Sequence, residues 1–129
     1  MYLVALEDDG ASGATIGCGD SLVPVRRAVA PTRLPLLAAL NELLAQKSEF
    51  YGESGLYNAL WQSNLRVQTA EIRDGTATVA LVGQVRLGGT CDSPRFQAQI
   101  EETIRAASGA ETVNVFLNGT PMADALSQR

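Results

Sequence analysis

Residues 65–81 hold the strongest constraint on the fold. Two strand-like runs, L-R-V-Q-T-A-E-I and T-A-T-V-A-L, flank the dipeptide Asp74-Gly75. Asp-Gly tolerates positive φ at both central turn positions, which a tight two-residue hairpin demands. The spacing therefore predicts an antiparallel pair. In the second run Ala77, Val79 and Leu81 share one face. In the first, Leu65 and Val67 share a face, while Ala70 and Ile72 fall on the other. A bulge near Gln68-Thr69 restores a single apolar face, because one extra residue inverts the alternation.

The rest of the chain is read around this hairpin. Residues 2–7 are apolar on both sides and predict a mostly buried strand. Glu7-Asp8-Asp9-Gly10 and Ala11-Ser12-Gly13 predict a polar loop. S-L-V-P-V-R-R-A-V at 21–29 predicts a second strand, placed at a sheet edge or starting near Pro24, because proline cannot donate to a ladder. Pro31 and Pro35 bracket the start of a helix over 34–46, with Leu36, Leu37, Leu40, Leu43 and Leu44 as a wide apolar stripe. Residues 56–61 predict one short helical turn that tucks Leu56, Leu60 and Trp61 against the core. Asp92-Ser93-Pro94 predicts a helix start, with an oxygen-bearing cap and a proline in the first turn. Phe96, Ile100, Thr103, Ile104 and Ala107 keep one face, Glu101 and Arg105 form an i,i+4 pair, and Ser108-Gly109 ends the helix. Residues 112–117 predict a last strand, followed by a turn at 118–121 and a fraying tail from Met122 to Arg129. The order is β-β-α-(short helix)-β-β-α-β. It predicts an α+β fold: a small mixed sheet of about five strands with two main helices on one face.

The 129 residues fit a single domain, 1–129, and suffice for a real core. At 46% hydrophobic and 19% charged residues, the composition is globular. The net charge of −4 disfavours nucleic acid and anionic lipid, both of which select a basic face. No apolar run reaches the roughly 18 residues needed to span a bilayer. No signal peptide is visible, so an exported form implies a leader missing from this sequence. Histidine is absent altogether. Its absence removes the usual general base, Cys-His and Ser-His-Asp catalysis, and most zinc and copper sites.

The two cysteines carry the sharpest question. Cys18 sits in G-C-G-D-S between two glycines, and Cys91 follows Gly88-Gly89-Thr90. As a nucleophile Cys18 lacks a histidine to activate it. As a staple, Cys18 and Cys91 both lie at element boundaries beside glycine, and closing the long loop between them contributes about 4 kcal/mol in the chain-entropy model. The third reading is a pair of small buried thiols that never meet. Asp20 is read as bonding backbone amides of its turn. The Glu7-Asp8-Asp9 cluster lacks the spacing of a calcium loop. Trp61 with Tyr57 forms either a ligand platform or part of the core. The glycine pairs do not have nucleotide-loop spacing. Asn118-Gly119-Thr120 matches a glycosylation sequon, a pattern that chance produces often.

Four blocks in order resemble one family. They are D-S-L-V-P-V-R-R-A-V (20–29), the leucine-rich helix P-L-L-A-A-L-N-E-L-L, the hairpin L-R-V-Q-T-A-E-I-R-D-G-T-A-T-V-A-L (65–81), and Q-A-Q-I-E-E-T-I (97–104) followed by V-N-V-F-L-N-G-T-P (113–121). Together they resemble the GerMN domain of sporulation and spore germination, over nearly the whole chain. G-C-G-D-S and G-T-C-D look like features of a subgroup, and they support pairing of Cys18 with Cys91 in an exported domain. The resemblance implies a place outside the bacterial cytoplasm, secreted or anchored as a lipoprotein. It implies similarity to ring-building α+β domains that work by protein contact, and it implies no catalytic residues, cofactor or metal. Spore formation itself does not follow from it.

The expected function is a non-enzymatic envelope domain acting in protein-protein contact or scaffolding, as a monomer or weak homo-oligomer. The strand holding Pro24 is the expected contact edge. The alternative is a small-ligand or cell-wall glycan module using Trp61, Tyr57 or the glycine-rich loops. A third reading, an enzyme, needs Asp20 and Asp92 as an acid-base pair.

Overall fold

The structure is a computed structural model and describes residues 1–27 and 32–127. The predicted hairpin is present. β4 (Asn64–Arg73) and β5 (Thr76–Gln84) pair antiparallel across Asp74 and Gly75, whose φ angles are +52° and +76°. Val67 lies opposite Leu81 and Thr69 opposite Ala80, so Gln68 is the extra residue of a bulge. Past it, Ala70 and Ile72 face the same side as Leu65 and Val67, opposite the fully buried Ala77, Val79 and Leu81.

The α+β class holds, but the strands divide into two sheets. The first has the order β1-β3-β2, built from β1 (Tyr2–Ala5), β2 (Ala14–Ile16) and β3 (Asp20–Pro24), all antiparallel. The second has the order β4-β5-β6-β7, adding β6 (Thr112–Leu117) and β7 (Thr120–Pro121). Only this second sheet is mixed: β5 and β6 run parallel, joined by the long helix α2 (Asp92–Ser108), as a parallel pair requires a crossover. α2 touches both sheets, and α1 (Pro35–Leu44) packs on α2 and on β4. One core of leucines, valines, Phe96, Ile100 and Ile104 lies between these layers.

Several expectations are corrected. β3 is the central strand of its sheet, not an edge. Pro24 is tolerated because it is the last residue of β3, two positions beyond Leu22, where β2 stops. The predicted continuation through Ala28 and Val29, and Pro31 before the helix, lie outside the described residues. β2 was concealed within a glycine-rich stretch too short and too polar to show alternation. Residues 56–61 form no helix, although hydrogen-bonded turns close from Asn58 to Trp61 and from Leu60 to Ser63. Tyr57 instead bridges Val4, with its N–H 2.7 Å from the Val4 carbonyl and its carbonyl accepting the Val4 N–H at 2.9 Å. Leu56, Leu60 and Trp61 do pack on the core.

Arg105 pairs with Glu102 instead of Glu101. Asp92 is the first residue of α2 and not its cap, since Cys91 takes that place without a side-chain bond. The C-terminal segment does not fray over 122–127. It forms α3 (Met122–Ser127), which buries Met122 and Leu126; Gln128 and Arg129 lie outside the described residues.

Candidate functional site

The sequence singled out G-C-G-D-S, and the structure places it at a corner where the first sheet meets the start of α2. Gly17–Gly19 form one 3-10 turn with Cys18 in the left-handed region, at φ +63°. This aims Cys18 across to Cys91, and the two are joined in a disulfide with Cα atoms 6.0 Å apart, inside the usual span for such a bond. No thiol is then left at either position to act as a nucleophile.

Beneath the disulfide lies a charged knot. Asp20 is fully buried at the start of β3. One carboxylate oxygen accepts the Glu7 N–H at 2.9 Å and the other accepts Arg95 Nε at 2.6 Å. The expected bond to a backbone amide is made, but to Glu7, 13 positions earlier, and not to the turn of Asp20 itself; the Arg95 bond was not expected from the sequence. Asp92 accepts the Gly88 N–H at 2.6 Å, Arg95 Nη1 at 3.2 Å and the Tyr57 hydroxyl at 2.9 Å. The Arg95 guanidinium also lies over the Tyr57 ring, 5.3 Å from its centre.

The two carboxylates hold the Arg95 pKa above its ordinary value, the Asp20 bond first. Burial, and then the Asp92 carboxylate, push the Tyr57 phenol up. Asp20 and Asp92 are thus brought together, as an acid-base pair would require, but one guanidinium stands between them and binds both. Among the described residues every buried side-chain polar atom has a partner. The corner is a clamp that ties β3 to α2.

Asp8 accepts the Ser12 N–H at 2.6 Å, which closes the acidic loop; the Ser12 hydroxyl first, and then this N–H, lower the Asp8 pKa. Tyr57 is buried, and Trp61 packs against the core. A cavity of about 420 Å³ includes Phe50 and Tyr51 in its lining, but neither Tyr57 nor Trp61. Asn118 spans the end of β5: its side chain accepts the Gly83 N–H at 3.0 Å and donates to the Gly83 carbonyl at 2.9 Å. These bonds occupy the amide that a glycosylated asparagine would use.

Sequence reading missed the most exposed apolar surface. Leu34 is 61% exposed and Ile72 52% exposed. Both line a groove of about 440 Å³ between the start of α1 and the far half of β4, with Arg33, Leu37, Val67 and Ala70. A signal was available. Ile72 belongs to the core face of the hairpin by alternation, yet it lies next to the turn, at the far end of β4. Leu34 precedes Pro35, outside the first turn of the helix, where no leucine of the stripe can cover it.

The sequence profile of the Germane family, described as sporulation and spore germination, matches residues 2–123. No curated protein and no solved structure matches the chain.

Proposed function

The chain belongs to the Germane family of sporulation and spore germination, and from that premise we propose that it is a non-enzymatic contact domain working outside the bacterial cytoplasm. Germane is not a known enzyme family. The observation that carries the proposal is the Leu34–Ile72 groove. Of the four exposed large apolar side chains, Leu6, Leu34, Phe50 and Ile72, Leu34 and Ile72 are the most exposed and share one groove, beside a ten-residue strand that among the described residues pairs on one side alone. Contiguous exposed apolar surface of this kind marks interaction sites.

The envelope location is supported by the disulfide, because such bonds persist in oxidising compartments. Among the described residues no helix is long and apolar enough to cross a membrane. Arg95 binds the two carboxylates that the catalytic alternative needs, and Asp92 binds the Tyr57 hydroxyl; of the ligand alternative, the glycine-rich loop with Gly13 and Gly17 lines a cavity of about 650 Å³. The Pro24 edge proposed from sequence gives way to β4, since β3 is central.

The test is replacement of the chain in its own bacterium by a Leu34→Asp/Ile72→Asp variant. Both positions are exposed, so the melting temperature should stay close to that of the native protein. The proposal predicts the phenotype of a deletion from a folded, normally abundant protein. A wild-type phenotype would refute it.

A further inference from the structure

The open side of β4 says what its partner looks like. β5 pairs with one side of this ten-residue strand, and among the described residues no strand pairs with the other. An unpaired edge offers a row of backbone donors and acceptors to an added strand. The bulge at Gln68 interrupts the row, so the usable stretch is 69–73, long enough for a short segment and too short for indiscriminate sheet extension.

The two faces of that stretch differ. On one face Ala70 and Ile72 look into the apolar groove with Leu34 and Leu37. On the other lie Glu71 and Arg73, with Arg66 before the bulge. Arg33, Arg66 and Arg73 are all exposed, and none makes an ion pair or a side-chain hydrogen bond among the described residues. On that face the unpaired Arg66 and Arg73 flank Glu71, with Asp74 in the turn beyond, and Arg33 adds a third unpaired guanidinium at the groove, although the whole chain carries a net charge of −4. Side chains of an added strand alternate between the two faces. The groove face selects apolar residues, and the arginine face selects carboxylates.

We propose that the 69–73 edge of β4 takes up an extended segment of a partner protein in which apolar and acidic residues alternate. This rests on the contact-domain reading and gives that contact a site and a chemistry. The mode is strand addition: main-chain bonds hold the segment, the Leu34–Ile72 groove reads its apolar side chains, and the arginines read its charge.

The test is binding of defined nonapeptides to the isotope-labelled full chain, followed by NMR. One peptide alternates valine and glutamate, the second alternates valine and lysine, and the third is the valine-glutamate peptide N-methylated on alternate amides. The first should shift resonances of 69–73 and 34–37. The lysine peptide should bind about tenfold more weakly or worse, the difference of one unfavourable charge contact. N-methylation should abolish binding, as should Ile72→Asp in a protein whose melting temperature is unchanged. Equal binding of both charges, shifts centred elsewhere, or no shift would overturn the proposal. So would a concentration-dependent dimer abolished by Ile72→Asp, which would make a second copy the occupant. If the peptides fail while the Leu34→Asp/Ile72→Asp bacterium still shows the deletion phenotype, the contact reading stands and only the acidic-strand partner falls.

Discussion

Arg95 Nε lies 2.6 Å from the carboxylate of Asp20, a residue 75 positions earlier in the chain. The pair joins the first sheet to the helix that serves the second. Asp20 is fully buried, so loss of Arg95 strands a charge with only a backbone amide to compensate it. Arg95→Met should therefore cost about 3–5 kcal/mol in urea unfolding, the range for breaking a buried pair from one side. Asp20→Asn combined with Arg95→Met should recover part of that loss, because the Asp20 charge is removed while Asp92 keeps the Tyr57 hydroxyl and the Gly88 N–H. A single-variant loss below about 1 kcal/mol would mean that the clamp is solvated and does not tie the layers.

The disulfide adds to the same clamp. It closes a separation of 73 residues, and the Cys18→Ser/Cys91→Ser variant should lose about 2–5 kcal/mol in urea unfolding. Alkylation of the native protein, purified without reductant, should leave its intact mass unchanged. A mass increase for two labelled thiols would remove the bond and weaken the argument for an oxidising compartment.

Tyr57 gives a pH signature. Its phenol titrates above the ordinary tyrosine value because burial, and then Asp92, disfavour the phenolate. Below about pH 10 the phenol is neutral in both the folded and the unfolded chain, and the stabilisation is fully present. Above that, the unfolded chain releases its proton first, and stability falls as pH rises through the folded pKa. Native protein should lose stability over this alkaline range faster than Tyr57→Phe. The absorbance titration at 295 nm, native minus Tyr57→Phe, should have its midpoint above the ordinary value. A midpoint at or below it would contradict the buried Tyr57–Asp92 bond.

What the sequence made legible was local. The Asp74-Gly75 turn, the bulge at Gln68-Thr69, the end of α2 at Gly109 and the span of β6 follow from backbone preference and alternation, which operate over a few residues. The family, and the proximity of Cys18 and Cys91, were legible as patterns. The split into two sheets was not, because it is a choice of long-range partners: β1 and β3 pair with each other and not with β4, β5 or β6. Arg95 was not legible either: a lone arginine on a helix reads as solvated, and only tertiary folding brings Asp20 beneath it. The groove escaped because exposure at Leu34 and Ile72 depends on where α1 stops relative to β4, a relation between elements that alternation within each cannot express.

The most direct test of the account is a photo-crosslinking residue placed at position 72 in the living bacterium, with position 53, an exposed turn residue outside the groove, as the comparison. The account predicts a discrete adduct from position 72 alone, with the crosslink mapped by mass spectrometry to a stretch of another protein in which apolar and acidic residues alternate. Adducts of equal yield from both positions, or none from position 72 in a folded and functional protein, would contradict it.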